Sequence, residues 1–367
     1  MVIAPAAALL ALTAAAGLDA PLGVRTPGTF RELFLDVTSA DARAPGAAGW
    51  EARWLLANDW STPTTLVRDG RRVELRNDEQ ADALSFTLRL PWGSGEGGAG
   101  PRPLRARIST ALEARATAHW GGYTDGVVEA WHHFGHYTNF ERERFARDEV
   151  HIALRELGVR TLVARDAAGI APGDVTLRNQ VLLADGGTSA AGAASRWGVS
   201  ARLDVKLPVG SLARAGGSGG ADAAVALLGT AELASWLTGH ALAGASAWSR
   251  LPDGFPLQPR RWHATFEASL ASHFGGYAIM VEDRLLSPVF EGGWRYDASD
   301  GYELPSSATY ASLRWHNQIT VGVRRGPFTM WFSEDFTPGA RGGPTARWFY
   351  DSNAPDVVLG LALVGAL

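Results

Sequence analysis

LRARISTALEARATAHW, residues 104–120, alternates along its whole length. Leu104, Ala106, Ile108, Thr110, Leu112, Ala114, Ala116, Ala118 and Trp120 fall in one phase. Arg105, Arg107, Ser109, Glu113, Arg115, Thr117 and His119 fall in the other. Successive side chains on a strand point to opposite faces, so the stretch predicts one apolar face and one charged face. The pattern returns at 196–207, where Trp197, Val199, Ala201, Leu203, Val205 and Leu207 oppose Arg196, Ser200, Arg202, Asp204 and Lys206. It returns again at 261–270 and 312–324, and more weakly near 50–57, 83–90, 174–183, 277–287, 328–336 and 356–366. Residues 222–249 hold room for two further strands, turning near 229–232 or at Thr238-Gly239.

A soluble β-sandwich also alternates. Three features favour a membrane barrel. Several runs exceed ten residues, which suits a tilted membrane strand of about nine to eleven better than a soluble strand of about five or six. Trp92, Trp120, Trp197 and Trp262 end runs, as an interfacial girdle requires. The polar phase is rich in charge, which suits a wet lumen. The reading is therefore all-β, a single antiparallel transmembrane β-barrel in the bacterial outer membrane. Barrels of this kind are even-numbered, so about twelve strands are expected, with ten and fourteen as alternatives.

Composition limits the remaining choices. The chain has 367 residues, no cysteine and a net charge of -4, which argues against a nucleic-acid partner. Residues 1–16 read as a signal peptide, apolar but too short to span a membrane, with Ala14-Ala15-Ala16 offering small residues for cleavage. Residues 17–367 then form the barrel domain.

Four segments carry a family resemblance. They are HWGGYTDGVVEAWHHFG (119–135), PGDVTLRNQ (172–180), KLPVG with GGSGGAD (206–210 and 216–222), and FSEDF (332–336). In content and order they resemble a bacterial family catalogued as domain of unknown function 3187. The resemblance implies an outer-membrane-like protein with no assigned reaction.

The stretch 122–136 breaks the period of two and predicts a short helix inserted between strands. On that helix Tyr123, Val127, Ala130, Trp131 and Phe134 share one face, and Asp125, Glu129, His132 and His136 share the other. It fits as a plug within the barrel or a cap at its mouth. The polar stripe has two readings. Glu129, His132 and His136 have the residue types and spacing to ligate a metal from one helix face. Alternatively the stripe faces lumen water or wall arginines, and no metal or cofactor is expected. In FSEDF, Glu334 takes the outward phase of Met330 and Phe332, while Asp335 takes the inward one. Either Glu334 or Asp335 partners an arginine that fixes the helix or a gate, or Glu334 sits in water at the strand's end.

Arg105, Arg107, Arg115, Arg202 and Arg314 belong to a polar phase in which bases outnumber acids, so the lumen is expected to be net positive and to prefer anions. The alternative places many of these arginines at the rims, against lipid phosphates. No H-E-x-x-H occurs, and GGSGG (216–220) lacks the lysine and helix of a phosphate loop, so it reads as a flexible turn. The expected function is a non-enzymatic channel or small-ligand-binding barrel. Its expected partners are the lipid bilayer, lipopolysaccharide, the outer-membrane assembly machinery and a small anionic or hydrophobic solute. The alternatives are an outer-membrane enzyme, lipid- or metal-dependent, and a closed structural barrel.

Overall fold

The computed structural model describes residues 19–25, 28–43, 48–93, 104–135, 145–186, 195–297, 315–336 and 355–367. The leader expected at 1–16 lies outside them. Twelve strands among the described residues close into an antiparallel barrel. In chain order they are β1 (Gly49–Arg68), β2 (Arg71–Pro91), β3 (Ile108–Trp120), β4 (Val175–Gly186), β5 (Trp197–Leu207), β6 (Asp222–Ala234), β7 (Leu237–Ala247), β8 (Trp262–Phe274), β9 (Tyr277–Leu286), β10 (His316–Arg325), β11 (Phe328–Phe336) and β12 (Pro355–Ala366). Each pairs with its sequence neighbour, and β1 closes on β12 from Gly49↔Ala366 to Asp59↔Pro355. Closure leaves no unpaired backbone edge, the condition for crossing lipid with strands.

The barrel is inverted relative to a soluble protein. In β5, Arg202, Asp204 and Lys206 are buried (Lys206 is 2% exposed), while Leu203 is 47% exposed. β6 repeats this, with Asp222 and Ala224 buried and Val225 and Leu227 exposed. An apolar outer wall of this kind is built to face lipid. Trp92, Trp197 and Trp236 are exposed toward one end of the wall, and Trp262 and Trp315 toward the other.

The ends differ. At one, three hairpins, β6–β7, β8–β9 and β10–β11, turn in two residues. Gly275 and Gly276 join β8 to β9 with φ of 54° and 82°, both in the left-handed region that two-residue hairpin turns demand. The β6–β7 turn is Ser235-Trp236, outside both positions expected from sequence, because Thr238 and Gly239 already pair within β7. At the other end the connections are long. β1 and β2 run on past the barrel to a turn at Asp69-Gly70. A hairpin of 152–156 and 160–165 pairs with the far part of β2. Residues 169–172 pair with β3.

A charge on the outer wall must be costly. Leu227→Arg, near the middle of β6, is expected to destabilise the folded barrel by about 2–4 kcal/mol. Reversible folding into lipid vesicles measures this, and an unchanged stability would place this wall outside lipid.

Candidate functional site

Twelve alternating strands deliver charged side chains into a narrow lumen, where each needs a partner. The chain supplies one from its own N-terminal segment. Residues 19–25 and 28–43 lie inside the barrel as a hairpin. One leg rises from the tight-turn end, a helical turn at Thr29–Glu32 forms the apex, and the second leg descends toward β1. Leu22, Val24, Phe30, Leu33, Phe34, Leu35, Val37 and Ala42 are each at most 2% exposed. Gly23 has a φ of 57°, and a Cβ there would come 2.9 Å from the Ser39 carbonyl oxygen, so the legs touch. Gly198 of β5 is close enough that a Cβ would lie 2.4 Å from Arg43 Cα, so leg and wall touch too.

Irregular backbone inside a barrel must be hydrogen-bonded by side chains. Glu282 accepts N–H bonds from Leu22 (3.0 Å), Gly23 (3.3 Å) and Val24 (3.3 Å). Arg284 donates to the Val24 carbonyl at 2.6 Å, to the Val37 carbonyl at 2.9 Å and to the Asp36 carboxylate at 3.0 and 3.1 Å. It thus clamps both legs. Near the apex, Lys206 donates to the Leu33 carbonyl (2.8 Å), Asp174 (2.7 Å) and Ser218 (2.7 Å). Asp222, 3.1 Å from Lys206, accepts the Leu35 N–H at 2.9 Å. Lower down, Ser200 donates to the Ala42 carbonyl, the Ala42 N–H donates to Thr230, and Arg43 pairs with Asp19 across the legs. Phe30, Leu33 and Phe34 pack with Leu66, Leu75, Trp248, Phe255 and Phe290, sealing the long-loop end with an apolar cluster.

Sequence reasoning missed this segment. Its apolar residues lacked the alternation of a strand, and a stretch before the first strand gives no hint that it will thread the lumen. Two of the four quoted segments nevertheless converge on it. Asp174 comes from PGDVTLRNQ, Lys206 from KLPVG, and Ser218 and Asp222 from GGSGGAD. GGSGG also has the Gly-x-Ser-x-Gly spacing of a nucleophile elbow. Ser218 is 3% exposed and bonded to Lys206 and Ser249, with no strand-to-helix turn, so it is a strut and not an exposed nucleophile.

The inserted helix forms as α1 (Asp125–Gly135), but it does not plug the lumen. Asn58 is in the outward phase of β1, opposite to lumenal Arg53, and its amide donates to Thr124 and Asp125 at 2.9 Å each. Trp131 meets Phe332 of the outer wall with ring centroids 5.6 Å apart. The helix therefore lies against the outside of the barrel near the long-loop end. The apolar face points mostly away from the barrel, with Trp131 at its edge against the wall. Tyr123, Val127, Trp131 and Phe134 are exposed, and Asp125 and Val128 are buried. Glu129 pairs with Arg147. The His132 side chain and all of His136 lie outside the described residues, as does Arg314.

The remaining candidates separate. Arg115 donates to the Glu32 carbonyl at 2.8 Å, and Arg202 is buried in the lumen beside Asp204. Arg105 and Arg107 sit on a 3₁₀ turn at the rim, off the barrel strands, because the strand begins only at Ile108 although the alternation starts at Leu104. Asp335 is lumenal and 3.8 Å from His316. Glu334 takes the outward phase but is only 5% exposed, so it sits neither in open water nor on bare lipid-facing wall. The net positive lumen is also corrected. Among the described residues further lumenal acids, including Asp36, Asp59, Glu79, Asp174 and Asp222, offset the bases, and Lys206 alone faces two of them.

No family model matches the chain, and no curated protein matches its sequence. Solved structures do. An outer membrane channel from Pseudomonas putida F1 is 11% identical, covering 90% of this chain and 99% of that one, with a TM-score of 0.46. The NanC porin is 8% identical, covering 88% and 100%, at 0.39. An outer membrane phospholipase dimer from Salmonella typhi with bound calcium is 7% identical, covering 88% and 91%, at 0.30. The likeness is one of fold, and none of these assigns an activity to this chain.

Two outcomes are expected. Arg284→Met removes the donor shared by Val24, Asp36 and Val37, costing about 3–5 kcal/mol. In the cysteine-free chain, a thiol at Ser39→Cys should react slowly with an aqueous maleimide, and at least tenfold faster when Arg284→Met is added; equal rates would deny the clamp. A spin label at Val127→Cys should show the oxygen accessibility of lipid, whereas water-like values would lift α1 off the membrane.

Proposed function

We propose that the chain is a channel-type barrel of the bacterial outer membrane, non-enzymatic, and held shut by its own segment 19–43. The observation that carries this reading is how the segment is held. Its hold on the wall is made by side chains such as Glu282, Arg284 and Lys206 and not by strand pairing, so it can leave without opening the barrel. The wall behind it is polar and charged, the lining of a water-filled pore. The kinship with the family of unknown function 3187 belongs to the same proposal.

In this reading the long-loop end faces outward among lipopolysaccharide, and the tight turns face the periplasm, as in bacterial barrels generally. Insertion would fall to the outer-membrane assembly machinery. The permeant is a small solute. The competing reading, a closed structural barrel, draws on the apolar cluster at the long-loop end.

Planar-bilayer recording separates the two. The intact protein is expected to show rare, small conductance steps. Deletion of 19–43, or Arg284→Met should the deletion not assemble, is expected to give stable open channels. A folded variant that stays silent would favour the closed structural barrel.

A further inference from the structure

The plug does not fill the lumen. Between its legs and strands β1 to β5 a polar cavity of about 70 Å³ remains, room for several waters or one small oxyanion. Arg25 of the plug and Arg53, Arg89, Arg178 and Arg202 of the wall line it, with Glu51 and Glu113 the only acids in its lining among the described residues. In this cavity the bases outnumber the acids, and one acid is shared between two of them. Glu113 lies 2.7 Å from both Arg25 and Arg178. Glu51 pairs with Arg53, which also donates to the Gly23 carbonyl.

Arg202 is the most exacting of the five. Its side chain is 3% exposed, and Asp204 takes its Nε at 2.9 Å. Its Nη2 is buried with no hydrogen-bond partner among the described residues. A buried charged donor without an acceptor is costly to leave unmade. Hydroxyls from Ser85, Thr87 and Ser109 border the same space.

We propose that this cavity binds an oxyanion, the phosphate or carboxylate group of a small solute, with Arg202 Nη2 as its central donor. Guanidinium forks match the two-oxygen edge of either group, and neighbouring cations leave net positive charge for it to neutralise. A bound anion touches Arg25 of the plug as well as the wall. Binding therefore favours the seated plug by as much as the seated state holds the anion more tightly. The proposal rests on the channel reading only in that a solute must reach the lumen.

The test is equilibrium binding to the intact protein in detergent. Calorimetric titrations with inorganic phosphate and with acetate, at matched ionic strength and against a chloride control, show which oxyanion fits. One saturable site for phosphate or acetate is expected, absent for chloride, and weakened about tenfold or more in Arg202→Met. Arg202→Lys keeps the charge but loses the fork, and should also bind more weakly. Heat-modifiable migration on gels checks that each variant folds. Should Arg202→Met not fold, Arg89→Met at the exposed edge of the cavity replaces it, with the same weakening expected. No saturable site for either oxyanion, or affinity unchanged in the folded variants, would overturn the proposal. Because no current is measured, a silent channel that binds phosphate would sink the channel reading and leave this site standing.

Discussion

A strand that shows lipid one face must show the lumen the other. Twelve such strands bring charged side chains into a space with little bulk water, and each unpartnered charge there is expensive. Arg284 stands at the centre of the solution. It is fully buried, lies 3.3 Å from Glu267 of the wall, donates to Gln318, and reaches Val24, Asp36 and Val37 of the plug. Wall, ascending leg and descending leg meet at this one guanidinium. Remove the plug, and the lumen must take up water instead.

That exchange makes the plug both stable and removable. Its backbone groups are satisfied by wall side chains, which water can also satisfy. The barrel's own ladders are independent of it. Phe30, Leu33 and Phe34 add apolar burial at the long-loop end, and this is the part of the plug that water cannot replace. Stability at the apex and solvation along the legs thus pull in opposite directions.

The apparent anomaly of α1 has the same origin as the wall. A helix with Val127, Trp131 and Phe134 exposed and Asp125 buried would be inside-out in a soluble protein. Against the outer face of a barrel it is correctly dressed, because its solvent is lipid or the interface. Its amphipathic pattern was legible in residues 122–136, and the pattern is symmetric to the question of side. A helix with one apolar and one polar face suits the lumen with one orientation and the outer wall with the other. The contact of Asn58 with Thr124 and Asp125 decides it.

What sequence alone determined was the barrel. Strand period is local, so alternation at 104–120 or 196–207 reports its two faces without knowledge of any partner strand. The count of twelve followed from the number of such runs. The charge balance of the lumen was not legible because acids such as Asp36 of the plug sit outside the alternating runs. Only the tertiary structure showed that 19–43 threads the lumen, that α1 lies outside it, and that Arg202 lines a cavity short of acceptors. Each depends on residues far apart in the chain, as Asn58 meets Thr124 and Leu22 meets Glu282. Such contacts are set by closure of the sheet, and no local pattern encodes them.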